Sequence, residues 1–277
     1  MLAFAGNSLL CRMALKHTSI DPTSFTAVRL ISGACMLWLV VRLQLGKRTA
    51  AKTGVWGAGN WLSASALFVY AAAFSFAYVN MSTATGALLL FGSVQATMIG
   101  YGLFRGERLQ TIQMGGMALA LAGLVALMLP GLAAPPLPSA MFMVAAGVAW
   151  GVYSLRGKRM QGPANSNPTQ VTAGNFLRAV PMALGLGLLM LNHLSDDRTG
   201  LMLAGVSGAL ASGLGYAIWY HALPALKATQ AATVQLSVPV IAALGGVLLL
   251  GEAITLPLVL ASCAILGGIA LVILEKR

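Results

Sequence analysis

Ten runs of apolar residues, separated by short polar gaps, govern what this chain can fold into. They are Leu2–Leu15, Thr23–Leu43, Gly54–Ala77, Ser82–Phe104, Gln110–Pro130, Pro138–Leu155, Pro168–Leu191, Gly200–His221, Ala228–Leu250 and Thr255–Leu274. A helix needs roughly 20 apolar residues to cross about 30 Å of hydrocarbon. The runs are continuous, unlike the alternating ~10-residue strands of an outer-membrane barrel. Between them lie turn and charge signals such as Asp21-Pro22, Gly46-Lys47-Arg48, Arg105-Gly106-Glu107-Arg108, Arg156-Gly157-Lys158-Arg159 and Asp196-Asp197-Arg198. Ten spans in 277 residues leave no room for a soluble domain. The expected fold class is an all-α membrane protein of ten transmembrane helices.

Composition agrees. Hydrophobic residues make up 58% of the chain and charged residues 8%, with a mean hydropathy of +0.83. A soluble domain carries about 25% charged residues to wet its surface, so a soluble enzyme, a disordered chain and a nucleic-acid binder are all excluded. The net charge of +11 comes from 17 Lys and Arg against 6 Asp and Glu, scattered through the gaps as in lipid-facing loops. Cys11, Cys35 and Cys263 all fall in apolar stretches, with neither a disulfide framework nor a CxxC metal pair. No metal or cofactor is expected. The opening Met1-Leu2-Ala3-Phe4 lacks a basic n-region and reads as a span, not a cleaved signal.

Loop charge sets the expected orientation. The even loops and the C-terminus hold Arg42, Lys47, Arg48, Lys52, Arg105, Arg108, Arg156, Lys158, Arg159, Lys227, Lys276 and Arg277. The odd loops hold Lys16 and Arg198, with Arg12 at the end of the first span. By the positive-inside rule both termini are cytoplasmic in an inner membrane.

Sliding the chain on itself by 145 or 146 residues aligns Gly6 with Gly151, Asp21-Pro22-Thr23 with Asn167-Pro168-Thr169, Gly106-Glu107 with Gly251-Glu252, and Gly123 with Gly268. Each match is weak alone; together they join spans of equal rank. With five spans per half, the second half enters from the opposite face, giving an inverted repeat. Residues 1–130 are the expected first repeat and 131–277 the second.

This layout, Pro22 and Arg29 opening the second span, Trp150-Gly151 in the sixth, and the Gly-Glu turns after the fourth and ninth resemble the drug/metabolite transporter superfamily in its ten-helix EamA branch. The resemblance covers essentially the whole chain. One departure is Ala5-Gly6, where the family usually shows Trp-Gly; the first helix is expected to be short or to begin upstream of Met1. The family layout implies that helices one, three, four, six, eight and nine surround a central cavity, with five and ten peripheral. Carried onto this chain, the cavity candidates are Asn7, Ser8, Ser65, Tyr70, Ser93 and Gln95, and in the second half Trp150, Tyr153, Ser212, Tyr216, Gln235 and Ser237. Each has a packing alternative: the amides as helix–helix hydrogen bonds, the aromatics as core or interfacial belt.

Away from the span ends, only two charged side chains fall within the spans, Arg29 and Arg178. Arg29 could fork a substrate carboxylate, or snorkel and bond helix-end carbonyls; Arg178 suits the second use. No Asp or Glu is embedded, which argues against proton-coupled export of lipophilic cations, since that needs a buried carboxylate. Glu107 and Glu252 read as helix-start residues, His221 as interfacial, and Pro239 as a hinge or a passive kink in the ninth span. The expected function is export of small polar metabolites, amino acids foremost, by alternating access. The alternatives are a facilitative carrier of anionic metabolites and a channel-like or scaffold subunit. Expected partners are a small-molecule substrate and the bilayer, with no nucleic acid; a homodimer stays open. No intramembrane nucleophile–base pair or HExxH motif suggests catalysis.

Overall fold

A computed structural model describes residues 1–52, 58–106, 110–128, 135–160, 167–191, 197–222 and 234–274. Glu107 and the beginning of the expected ninth span lie outside the described residues. The helices are α1 (Leu2–His17), α2 (Pro22–Lys52), α3 (Trp61–Tyr78), α4 (Thr83–Phe104), α5 (Thr111–Met128), α6 (Leu137–Met160), α7 (Pro168–Leu189), α8 (Arg198–Ala222), α9 (Ser237–Leu250) and α10 (Leu256–Leu274). Among the described residues there is no strand. By length and apolarity α2, α3, α4, α6, α7, α8 and α10 can each cross a membrane, and the apolar Thr111–Leu127 and Ser237–Leu250 are shorter. The chain is an all-α, multi-pass membrane protein.

The polar gaps act as helix caps. Asp21 accepts hydrogen bonds from the backbone of Thr23 and Ser24 at the start of α2, and Asn167 from Thr169 at the start of α7. Asn60 and Ser82 cap α3 and α4 in the same way. Each cap satisfies an N–H that the first helical turn leaves open. Asp197 caps α8 and also accepts from the backbone N–H of Ser19, 2.7 Å away, tying the α1–α2 turn to α8. Backbone hydrogen bonds from Ser19 and Gly200 hold its carboxyl below the usual carboxylate range.

Several boundaries differ from the apolar runs, for physical reasons. α2 continues nine residues past Leu43, because hydropathy marks the hydrocarbon and not the end of hydrogen bonding. At 1.5 Å per residue its 31 residues span about 46 Å, longer than the apolar slab. α3 starts at Trp61, seven residues later than Gly54, because Gly59 turns the chain at φ +77° and Asn60 then caps. The expected ninth span is broken: Val234 and Gln235 are helical, Leu236 interrupts, and α9 resumes at Ser237. Pro239 therefore sits in the first turn of α9, not mid-helix, and offers no N–H to the Gln235 carbonyl four residues earlier. The Ser237 hydroxyl bonds the Val234 carbonyl across the break.

α5 packs on α10, α2 on α7 and α4 on α9. α3 lies against α6 and α7, as α8 does against α1 and α2; α4 meets α6, as α9 meets α1. α8 departs from regular helix in a π-helical segment over Ser207–Leu214. It is seated on α2 by glycines: a Cβ on Gly208 would strike the backbone carbonyl of Arg29 and the Ser32 hydroxyl, and one on Gly213 would lie 3.0 Å from the Met36 Cβ. A backbone carbonyl cannot swing aside. Gly208→Ala should therefore cost about 1–3 kcal/mol of stability, the usual penalty for overpacking. Gly205→Ala, three residues away with open space around it, should leave thermal unfolding in detergent unchanged. Equal melting of the two variants would contradict this close approach.

Candidate functional site

The centre of the bundle is aromatic. Tyr70 of α3 and Trp150 of α6 lie 4.9 Å apart between ring centroids, and Trp150 stands 5.0 Å from Tyr216 of α8 and 5.4 Å from Tyr153. Phe4 of α1 meets Tyr216 at 5.6 Å and Trp150 at 6.1 Å, and Phe176 of α7 meets Tyr216 at 5.7 Å. Phe4, Tyr70, Phe74, Leu90, Phe91, Trp150 and Tyr216 line a cavity of about 10 Å³. A single water needs about 10–15 Å³, so the rings nearly close on one another.

One buried polar network touches these rings, and Arg29 is its hub. Arg29 is 1% exposed. Its Nε donates to the Ser212 hydroxyl at 3.1 Å and one terminal nitrogen to the Tyr70 hydroxyl at 3.0 Å. The other terminal nitrogen, Nη1, has no hydrogen-bond partner. The guanidinium lies 5.1 Å from the Tyr70 ring centroid and 5.0 Å from that of Phe74. Asn7 donates to the same Tyr70 hydroxyl at 3.3 Å and accepts from Ser207. An α-helix would turn Ser207 and Ser212, five residues apart, about 140° away from each other. The π segment brings both hydroxyls to the network.

The two ends of the bundle are tied by different chemistry, at opposite ends of α3. At its C-terminal end, Arg12 of α1 donates to the Tyr78 and Val79 carbonyls at 2.9 Å each and forms an ion pair with Glu252 at 3.4 Å. The other Glu252 oxygen accepts from the Thr83 backbone at the start of α4, 2.8 Å away. At the N-terminal end of α3, Arg156 of α6 donates to Ser63 and Asn60 at 3.1 Å each, and Asn175 of α7 accepts from the Asn60 backbone at 3.0 Å. Each tie joins one of the first five helices to the second five. Glu252 thus corrects its reading as a helix-start residue: its carboxylate serves α4 and Arg12 and not α10.

The candidates separate clearly. Asn7, Tyr70, Trp150, Ser212 and Tyr216 come together with Arg29 at the centre, and Tyr153 stacks beside them, its hydroxyl 3.5 Å from Asn175. Ser8 is buried next to Asn7. Ser93 is buried instead where α4 meets Gly147 of α6. Gln95 faces a separate cavity of about 20 Å³ bounded by α4, α5 and α10. Gln235 is half-buried beside the helix break, and Ser65 bonds its own helix at the Trp61 carbonyl. Arg29 does not snorkel; Arg178 behaves as the helix-end reading says, donating to the Ala58 and Gly174 carbonyls. His221 is exposed. The residues that sequence reasoning passed over are Phe4, Phe74, Phe176 and Ser207. A signal for the last was present: Ser-Gly recurs at 207–208 and 212–213, a period of five that fits a π turn.

A model of the EamA-like transporter family matches residues 137–274. An uncharacterized protein of Pseudomonas aeruginosa is 55% identical over 276 residues, covering 100% of this chain and 92% of its own. An uncharacterized transporter of Archaeoglobus fulgidus is 24% identical over 256 residues, covering 88% of this chain and 84% of its own. A crystal structure of a protein at 20% identity has a TM-score of 0.66, with 100% of this chain and 98% of that one covered, and so shares the fold. With α6 to α10 matched by the family, the whole chain by one relative and 88% of it by a distant transporter, the protein belongs to the EamA-like transporter family.

Proposed function

We propose that this membrane transporter exports small polar metabolites, amino acids foremost, from the cytoplasm across an inner membrane. It does so by alternating access between two inverted five-helix halves, residues 1–130 and 131–277. The observation that carries this reading is the central aromatic and polar cluster, built jointly by α1, α2 and α3 and by α6, α7 and α8, and tied shut at both ends by contacts between the two sets. A site that both halves build, and that either end could expose, is what alternating access needs.

The helix contacts support the inverted repeat. Exchanging each helix with the one five places on maps α3–α6 onto α8–α1, α3–α7 onto α8–α2, and α4–α6 onto α9–α1. α5–α10, α2–α7 and α4–α9 map onto themselves. Asp21 and Asn167 cap matching helices, each accepting from the backbone N–H two residues on, and Gly106 and Gly251 both take positive φ where α4 and α9 end. Loop charge places both termini in the cytoplasm, so the Arg12–Glu252 tie closes the outer end and the Arg156–Asn60 tie the inner one. A second reading, carriage of anionic metabolites, is favoured specifically by Arg29.

Purified protein in liposomes should show saturable amino-acid uptake accelerated by the same solute inside. Non-saturating flux without counterflow would indicate a channel, and no flux for any small metabolite would defeat the proposal. The outer tie can be checked separately. Glu252→Gln keeps an acceptor for the Thr83 N–H but removes the ion pair, whose charge-assisted bond is worth roughly 1.5–3 kcal/mol. In a chain with Cys35 and Cys263 replaced by Ala, a membrane-impermeant maleimide should then label buried Cys11, next to Arg12, about tenfold faster from outside. Unchanged labelling would show that the ion pair does not hold that end closed.

A further inference from the structure

We infer that Arg29 is the docking point for a carboxylate on the substrate, and that the carboxylate, not an amino group, is the handle by which the site holds its cargo. This rests on the carrier reading and names its substrate chemistry.

Charge comes first. A guanidinium at 1% exposure within a membrane span is costly even on the mildest insertion scales. None of the six acidic residues falls within the ten apolar runs, and those described, Asp21, Asp197 and Glu252, lie outside the helices. Among the described residues the one ion pair belongs to Arg12 and Glu252. Arg29 therefore enters the core with neutral company only: two hydroxyls, and the faces of Tyr70 and Phe74.

The geometry of the fork comes next. A carboxylate is bound best by two parallel N–H donors. Nη1 has no partner, and the adjoining nitrogen is held only by a phenol that an oxyanion can displace or share. The Tyr70 hydroxyl already accepts from both Asn7 and Arg29 and is hydrogen-bonded to Tyr216 as well, so the uncommitted donor that meets an incoming oxygen is Nη1. The unpartnered Arg29 donor thus lies beside the cavity, two of whose lining rings, Tyr70 and Phe74, pack on the guanidinium. Nothing equivalent awaits a cation. No carboxylate faces this centre among the described residues, and the Asn7 carbonyl is engaged by Ser207.

A purely structural arginine is the competing account. It would tie α2 to α3 and α8 without reference to the cargo, and would therefore treat acids and amides alike. The test uses sets that share one body and differ in the head group: phenylalanine, 3-phenylpropionate, phenylalaninamide and phenethylamine, with the four leucine-derived counterparts. Each is offered to wild-type proteoliposomes as a counterflow substrate, and to detergent-solubilised protein in a thermal-shift assay. The expected result is that the amino acid and the deaminated acid both act, with the amide and the amine at least tenfold weaker. Arg29→Gln should abolish that discrimination and Arg29→Lys should keep part of it, with both variants eluting as the wild type does on gel filtration.

If Arg29→Gln does not fold, the wild-type comparison of acid with amide still decides. Amides or amines acting as well as the acids would overturn the inference, as would full acid preference in folded Arg29→Gln. Flux of neutral or cationic metabolites, with none of the carboxylates moved, would remove this inference and leave the carrier reading standing. If a wide panel of metabolites is also left unmoved, both fall.

Discussion

A positive charge sits where water is excluded and, among the described residues, no acid is near, and the arrangement at the centre of the bundle follows from accommodating it. Arg29 needs acceptors at depth, and ten apolar helices supply few. Tyr70 provides one by standing midway along α3, and Ser212 another by way of a π segment in α8. That segment in turn can approach α2 only because Gly208 and Gly213 leave room for its backbone. Asn7 then completes the network by bonding both Tyr70 and Ser207. In hydrocarbon each unsatisfied polar atom costs several kcal/mol, so the irregular helix is the cheaper arrangement. A regular α8 would point one of the two serines away from the network.

The same logic separates the two ends. The Arg12–Glu252 tie is an ion pair reinforced by backbone groups of α3 and α4, whereas Arg156 is held by the neutral oxygens of Asn60 and Ser63. Both ties link helices that belong to different halves on the proposed repeat. On the carrier reading they cannot both release at once without flooding the bundle, and their unequal chemistry makes them respond differently to solvent. Both ties use the charged guanidinium as donor, but only the Arg12–Glu252 tie sets two opposite charges against each other. A guanidinium–carboxylate pair is also screened by salt, which the amide and hydroxyl partners of Arg156 feel less.

The membrane class, the ten helices and most of the central residues were legible in the sequence, because burial in lipid dictates both composition and the placement of polar groups. What was misread depended on geometry that hydropathy does not carry. The α3 boundary was set by a positive φ at Gly59, and the extension of α2 by intact backbone hydrogen bonding beyond the hydrocarbon. Gln95 and Ser93 lie on α4 with suitable polarity, but their rotation about the helix axis turns them to α5 and α10 and to α6. Helix faces in an apolar helix are nearly featureless, so the periodicity that would have placed them is absent. Glu252 was assigned to the helix that follows it, since sequence proximity suggests local caps; its partners, Thr83 and Arg12, are 169 and 240 residues away. Nothing in the sequence marks Phe4, Phe74 or Phe176, because an apolar aromatic in an apolar span looks like any other core residue.

The packing also says where separation is cheapest. α5 and α10 close on each other through glycines: a Cβ on Gly116 would lie 2.7 Å from the Gly268 carbonyl, and one on Gly123 2.9 Å from the Ala264 Cβ. Such backbone-to-backbone contact has no slack, and it resists sliding because any displacement brings main chains into collision. The central contacts are of another kind. Tyr70, Trp150, Tyr216 and Phe4 meet edge to face or tilted, through side chains that can change rotamer while their helices stay put. Their cavity of about 10 Å³ is far below the volume of any metabolite. On the carrier reading, loading therefore has to part the rings. The helices best able to accommodate that are those already irregular near them: α8 through its π segment, and the approach to α9 through the break at Leu236. A bundle pinned by glycine at its edge and filled by rings at its centre yields first at the place where Arg29 is waiting for a partner.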